Sequence, residues 1–458
     1  AKDWQFLRDK EKLRPALRAA QFLEDKNFVY SGDAYFLAGN IYFTDNEFAL
    51  AQQMFLKSVE CYKKGLAYNK AGDAKYNAGI AAYRNNDAQT AYTLLTEAQE
   101  WIRDPSKTTR LLFYLAQVSN ALDRYQDADR YFQEALETLN NRDPTLASQI
   151  ATEYANTLFH RAERFSLSDT TQRAQLLKKA AEMRELAAEF FEQTEQKQQA
   201  AMSLLLASRY YISIEEFNVA ASVLDRLVSF QKELQNYEAA CRALIEYARL
   251  PTNTPASSLK LLDQALSCLE HLSNATLKTT LQGLIHREQA HYLVVLENFL
   301  AAQEKYQLAL DLLKDSSPPS ADYLSSLIGF ANLLFKIENY SRAGELFLIA
   351  KDMFEKRADQ QEQCIQCIRN AYVAYRRAMT HYHAAAALLL HQQKEEVAQQ
   401  CLEACIEIGH KILAIAPEDR KQEAQSIWNT EKESLEVLFK LFTDEKRRSL
   451  LQKALSSA

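Results

Sequence analysis

The side chains best suited to chemistry in this 458-residue chain are two cysteine pairs with histidines between them. Cys364-Ile-Gln-Cys367 and Cys401-Leu-Glu-Ala-Cys405 each place two thiols at helical spacing, and His381, His383 and His391 lie between the pairs. If both pairs converged they would supply the thiolates of a tetrahedral zinc site. Both pairs, however, sit inside helical patterns, and Cys405 stands where comparable stretches carry a small alanine. Cysteines acting as small buried apolar residues is the reading that fits this spacing, so no metal is expected. Gly39 and Gly79 are isolated and no Gly-x-Gly occurs, so a phosphate loop is not expected. There is no His-Glu-x-x-His, and serine, histidine and aspartate show no nucleophile-elbow context. The acidic pairs Glu215-Glu216, Glu395-Glu396 and Asp444-Glu445 read as solvated helix faces. The expectation is a protein that is not an enzyme, with no catalytic residues and no cofactor.

The elements that carry these residues are helical. Only nine glycines and eight prolines punctuate the chain, too few for the frequent turns of a β-rich fold. Long stretches consist of Ala, Leu, Gln, Glu, Lys and Arg, which favour helix. Pro105, Pro144, Pro318, Pro319 and Pro417 each fall a few residues past the end of an apolar helical pattern, where helices stop. Through this runs a recurring phrase of a small residue, a large apolar residue four positions on, and a second small residue three further. It occurs as Ala51–Phe55–Ser58, Ala91–Leu95–Ala98, Ala128–Phe132–Ala135, Ala302–Tyr306–Ala309 and Ala343–Phe347–Ala350. Each instance follows a second apolar helix face carrying small residues, such as Ala38-Gly39, Ala78-Gly79 or Leu115-Ala116. Helix pairs that cannot bury their apolar faces singly must stack on their neighbours.

This cadence resembles the tetratricopeptide repeat. Further matches are Ala207, Ser208, Tyr211, Ala220 and Leu224; Ala290 and Leu293 ahead of Ala302; Leu327, Phe330, Ala331 and Leu334 ahead of Ala343; and Ala385, Ala386, Leu389, Ala398, Leu402 and Cys405. The pitch is about 37–41 residues against the family's 34, so helices or loops are longer. The fourth unit, near 149–193, is interrupted by Phe165-Ser-Leu-Ser-Asp-Thr-Thr171 and has no clean phrase. The sixth is partial, with Ser258, Leu262 and Ala265 after an enlarged loop at 250–256. The resemblance implies an all-α, right-handed α-solenoid of about nine tetratricopeptide-like hairpins with helical caps at both ends. The expected divisions are an N-terminal cap over 1–30 and regular repeats over 31–145. Irregular repeats over 146–275 follow, then repeats over 276–410 with a lengthened helix near 359–382. A C-terminal cap over 411–458 closes the series. Trp4, Leu7, Leu13, Leu17 and Phe22 mark the first cap; Trp428, Leu435, Leu438, Phe439 and Phe442 mark the last.

In the family, the first helix of each hairpin lines the concave face. The equivalent positions here hold Asp33, Phe36, Asn40 and Phe43; Asp73, Tyr76, Ile80 and Tyr83; and Arg110, Phe113, Gln117 and Asn120. Aromatic rings can bury a peptide's apolar side chains, and amides can pair with its backbone. The same rings at helical spacing also suit packing against the cap or neighbouring helices, and both readings stand at this point. The family's groove for a C-terminal carboxylate uses asparagines that match Asn40 and Asn77. Its basic positions fall on Phe36, Phe113 and Gln117, so that binding mode is not expected. Further along, Arg209, Arg287, His291, Asn332, Phe335 and His383 suggest a second, more polar contact.

The formal charge of −6 carries no broad basic footprint for nucleic acid. Lys446-Arg447-Arg448 follows two acids and reads as a helix charge complement. No apolar run reaches the ~20 residues of a membrane span, and the first residues are polar with no secretory signal. An odd cysteine count of seven fits reduced thiols. The expectation is therefore a cytoplasmic scaffold or adaptor that holds a partner protein or peptide in its concave groove. The groove residues would be Phe36, Asn40, Phe43, Tyr76, Asn77, Tyr83, Phe113, Gln117 and Asn120. The alternatives are an obligate subunit of a large multiprotein assembly and a regulatory peptide or ligand receptor.

Overall fold

The computed structural model describes residues 9–139, 142–165, 170–314, 320–356 and 360–456. The chain divides into two compact units, Ala1–Leu234 and Gln235–Ala458. In the first, α1 (Asp9–Leu23) precedes hairpins made by α2 (Phe28–Thr44) with α3 (Phe48–Lys64) and α4 (Tyr68–Arg84) with α5 (Ala88–Gln99). Next come α6 (Pro105–Ala121) with α7 (Tyr125–Leu139), α8 (Pro144–Arg164) with α9 (Thr170–Gln193), and α10 (Lys197–Ser213) with α11 (Phe217–Glu233). The second unit pairs α12 (Tyr237–Ala248) with α13 (Pro255–Cys268) and α14 (Ala275–Val295) with α15 (Phe299–Leu313). It continues with α16 (Ala321–Lys336) and α17 (Tyr340–Glu355), then α18 (Gln361–His391) and α19 (Glu395–Ile415). It closes with α20 (Lys421–Phe439) and α21 (Glu445–Ser456). Within each unit every helix packs on its neighbours in chain order, and α4–α6 and α14–α16 also touch as successive first helices. This is the nearest-neighbour packing of a helical repeat. No strand occurs among the described residues.

Local chemistry sets the helix ends. Asp87 Oδ1 accepts from Thr90 N at 3.0 Å and Asp143 Oδ1 from Leu146 N at 3.0 Å, each satisfying a donor of the first turn. Pro105 and Pro144 occupy the opening positions of α6 and α8, where a missing N–H costs nothing. These two prolines thus start the next helix as well as follow the last one. The turn inside most hairpins is three residues long and centres on a left-handed residue. These are Asn46, Asn86, Asp123, Glu215, Glu297, Glu338 and Gln393, with φ between 56° and 65°. The residue after each returns its N–H to a carbonyl of the preceding helix, as in Glu47 to Tyr42 at 2.9 Å and Lys394 to Leu389 at 2.9 Å. That bond satisfies a terminal carbonyl and holds the turn in a conformation usually given to glycine.

The recurring phrase is the packing unit. Ala51, Phe55 and Ser58 are buried, as are Ala91–Leu95–Ala98, Ala128–Phe132–Ala135 and their later counterparts. A Cβ at Gly39 would stand 2.6 Å from the Phe55 ring, so the absent side chain is what lets α2 and α3 approach. The fourth hairpin corrects the sequence reading. It keeps the phrase as Ala180–Arg184–Ala187, all buried, with an arginine in the large apolar slot. The sixth is complete in packing too: Ser258, Leu262 and Ala265 are fully buried, and Ser258 Oγ donates to Ala248 O at 2.7 Å.

The helix expected near 359–382 and the first helix of the ninth hairpin are one continuous element, the 31-residue α18. Residue 359 lies outside the described residues, as do Trp4, Leu7, Pro318, Pro319 and residues 166–169 of the fourth-hairpin loop. Trp428 anchors α20: it is buried, and its ring atom Cζ3 would lie 2.0 Å from a Cβ placed at Gly409 of α19.

Candidate functional site

The first helices α2, α4 and α6 carry the candidate groove residues, all within the N-terminal unit. Phe36 is half-buried with its ring 5.4 Å from Phe55, and it packs with Ala51, Ala78 and Ala81 between the first two hairpins. Phe43 meets Phe48 at 5.3 Å across the first turn. These two rings pack the array. Asn40 is exposed, whereas the Asn77 amide donates to Asp73 O at 2.8 Å. Asn120 Oδ1 accepts from Arg161 Nε at 3.2 Å and so ties α6 to α8. Gln117 is half-buried. Tyr83 is half-buried, with its pKa raised by burial and by nearby Glu153.

Tyr76 and Phe113 come together. A cleft of about 420 Å³ lies between α4, α6 and the start of α8, lined by Tyr76, Phe113, Tyr114 and Leu146 together with the polar Arg110, Asp143, Thr145 and Gln149. Tyr76 and Tyr114 meet edge to face at 5.9 Å, and Phe113 leans on Tyr114 at 5.9 Å and on Phe132 at 6.2 Å. Burial, together with Tyr114, raises the Tyr76 pKa and outweighs the opposing charge of Arg110, so its hydroxyl stays protonated. Each of these rings thus meets at least one other, in the tilted and edge-to-face geometries that aromatic pairs favour.

Charge on the same face follows a ladder. Asp33 accepts from Tyr62 Oη at 2.7 Å and from Lys70 Nζ at 2.8 Å, and Asp73 accepts from Lys107 Nζ at 2.7 and 2.8 Å. Each step joins one first helix to the start of the next. At the third step the sign reverses to Arg110, which is exposed and has no ion pair or hydrogen bond among the described residues. An exposed guanidinium beside an aromatic cleft can take a carboxylate through two parallel N–H donors. Sequence reasoning placed Arg110 on this face but left it out of the groove set. The signal was the break in the Asp33, Asp73 series.

In the second unit the more polar candidates are mostly engaged internally. Arg287 pairs with Glu288 at 2.5 Å and Asp322 at 2.7 Å, and Arg249 shares Glu288 at 2.7 Å. His383 Nδ1 lies 2.6 Å from Glu431 Oε1, and Phe335 packs on Tyr340 at 5.1 Å. His291 and Asn332 remain exposed, as does Arg209 in the first unit. Cys405 fills the small slot of the ninth hairpin, with its thiol 3.4 Å from Glu431 and its pKa raised by burial. Burial likewise pushes Cys367 up to about 11. Protonated thiols of this kind are neither ready metal ligands nor nucleophiles. No group of three His, Cys, Asp or Glu side chains among the described residues is placed to hold a metal.

The packing and phrase define a tetratricopeptide-like helical-repeat protein. In sequence the chain matches no family model and no curated protein. Among solved structures it is similar to the apo form of the quorum sensor NprR from B. thuringiensis, at 11% identity and a TM-score of 0.35. That match covers 81% of this chain and 99% of the other. It is also similar to the C-terminal part of a TPR repeat-containing protein from Cytophaga hutchinsonii, at 13% identity and a TM-score of 0.29. There the coverage is 64% of this chain and 99% of that one. A third is a signal transduction ATPase with numerous domains and a tetratricopeptide repeat sensor, from Pyrococcus horikoshii. It is 13% identical with a TM-score of 0.31, covering 89% of this chain and 54% of the other. No helix among the described residues is long and apolar enough to cross a membrane.

Proposed function

We propose that the chain is a protein-interaction module and that the first-helix face of its N-terminal unit binds an extended segment of a partner protein. The observation that carries this reading is the aromatic cleft of Tyr76, Phe113 and Tyr114, lined also by Arg110, which has no ion pair among the described residues. An apolar or aromatic side chain would enter the cleft, and an acidic residue beside it would reach Arg110. Asn40 and Gln117, neither engaged in a hydrogen bond among the described residues, would meet the segment's backbone. Phe36, Phe43, Asn77 and Asn120 would support the wall rather than touch the partner. Such a role needs no catalytic group, and the chain would act as a scaffold or adaptor.

Peptide selection from a random displayed library tests the reading. Sequences pairing a large apolar residue with Asp or Glu should be enriched by the native chain. Their affinity should fall about tenfold or more in Tyr76→Ala and again in Arg110→Glu, the loss typical of an aromatic anchor and of a charge reversal. Selected peptides that bind both variants as tightly as the native chain would remove this face from consideration.

A further inference from the structure

The fourth hairpin differs from its neighbours in length as well as in its slot residue. Helices α6 and α7 have 17 and 15 residues, whereas α8 and α9 have 21 and 24. Lys179, the tenth residue of α9, lies 3.9 Å from Asp129, the fifth of α7. Ala128 is the fourth residue of α7 and its counterpart Ala180 the eleventh of α9, so at 1.5 Å per residue α9 carries roughly 10 Å more helix ahead of the shared phrase than α7 does. The step leaves a recess of about 650 Å³ at the turn edge of the third and fourth hairpins, away from the first-helix cleft. That volume falls within the roughly 300–1,000 Å³ of small-ligand sites.

The lining is both apolar and cationic. Tyr125, Phe165 and Leu176 supply apolar surface, and Arg161, Arg164 and Lys179 supply charge. Arg161 is 5% exposed and fixed: it donates to Asp129 at 2.8 Å and Asn120 at 3.2 Å, with its guanidinium 4.8 Å from the Tyr125 ring centre. Arg164 donates to Asp123 at 2.9 Å and to Tyr125 Oη at 2.7 Å. Asp129 thus serves both Arg161 and Lys179, and Asp123 serves Arg164, so among the described residues three cations face two carboxylates. Gln126 in the first turn of α7 and Gln172 in the first turn of α9 also line the recess and add amide donors to it.

We infer that this recess binds a small organic anion, a carboxylate or phosphate carried on an aromatic or aliphatic body. The charge sits at Lys179 and Arg164 while the body lies on Phe165, Leu176 and the Tyr125 ring. The site is independent of the first-helix face, so either can stand without the other.

Calorimetric titration of the full chain with phenyl phosphate, benzoate and neutral benzyl alcohol tests it. One anion or both should saturate a single site, phenyl phosphate and benzoate reporting which head group is preferred, and benzyl alcohol should bind at least about tenfold more weakly. Lys179→Met removes the cation that shares Asp129 with Arg161, and Gln175→Glu adds a carboxylate at an exposed lining position of α9. Each should weaken anion binding about tenfold while selected peptides still bind the first-helix face. If Lys179→Met lowers the melting temperature, Gln175→Glu carries the test. Equal binding of the neutral compound, unchanged affinity in Gln175→Glu, or no saturable binding of either anion would overturn the assignment.

Discussion

Replacing Arg184 by methionine should make the protein more stable. Arg184 occupies the slot held by Phe55, Leu95, Phe132, Leu224, Tyr306, Phe347 and Leu402 in other hairpins, and it is only 7% exposed. One guanidinium nitrogen donates to Asn156 Oδ1 and the group lies near the Tyr210 hydroxyl, whose pKa it pulls down against burial, but Nε has no hydrogen-bond partner and no carboxylate pairs with the group among the described residues. Withdrawing an ion from water costs several kcal/mol after relaxation, and one charge-assisted hydrogen bond returns about 1.5–3 kcal/mol. Methionine keeps the apolar stem and its packing while removing the charge. Asn156 is half-buried rather than buried, so its Oδ1 can accept from water once the guanidinium is gone. The net gain should be about 1–2 kcal/mol. For a body of 150–250 residues each kcal/mol moves the melting temperature ~2–4 °C, so the transition should rise by roughly 2–8 °C. Differential scanning calorimetry of the native chain and the variant measures this. A lower transition in Arg184→Met would mean that the arginine is fully compensated in its site, and the reasoning from its unpaired nitrogen would fail.

Other outcomes follow from the same packing. Gly409→Ala forces a Cβ into the Trp428 indole and should cost about 1–3 kcal/mol, read by urea unfolding and by faster amide exchange in α20. Phe36→Ala should destabilise the N-terminal unit by about 1–3 kcal/mol, because its ring backs Phe55, whereas Tyr76→Ala, which loses the Tyr114 contact, should cost about 1–2 kcal/mol and also weaken peptide binding. Burial lowers the His286 pKa in the folded chain, against a smaller upward pull from Gln289. The unfolded chain therefore takes up a proton first as pH falls through about 6.5, and stability is lost below that value. The stability difference between His286→Gln and the native chain should shift in the variant's favour from pH 7.5 to pH 5, as measured by urea midpoints.

The architecture was legible because the phrase is a packing rule. A small residue is needed where two helix axes approach, and a large apolar one fills the gap that follows, so Ala51–Phe55–Ser58 and its counterparts announce the contact they make. Arg184 escaped notice because a search for apolar residues at that slot passes over an arginine, however deeply it is buried. The hairpin turns escaped for a related reason. Left-handed Glu215, Glu297 and Gln393 do what glycine usually does, and nothing in a glutamate signals that conformation. On the first-helix face the sequence placed the right positions but not their depth. Phe36 and Tyr76 hold equivalent positions, yet Phe36 packs on Phe55 of its own hairpin within the inter-hairpin core, whereas the same slot behind Tyr76 holds Leu95 and the Tyr76 ring meets Tyr114 at the wall of the cleft. The turn-edge recess was invisible, since it arises from a difference in helix length across a loop rather than from any motif.

Site-specific photo-crosslinking tests the central claim most directly. A photoreactive phenylalanine analogue placed at Asn40 or Gln117 faces the proposed partner, whereas one at Gln53 or Thr96 sits exposed on the second helices. The account expects the same partner protein, or the same selected peptide, to be captured from Asn40 and Gln117, with capture abolished by Arg110→Glu and Tyr76→Ala together. Capture of that partner from Gln53 and Thr96 but not from the first-helix positions would contradict it.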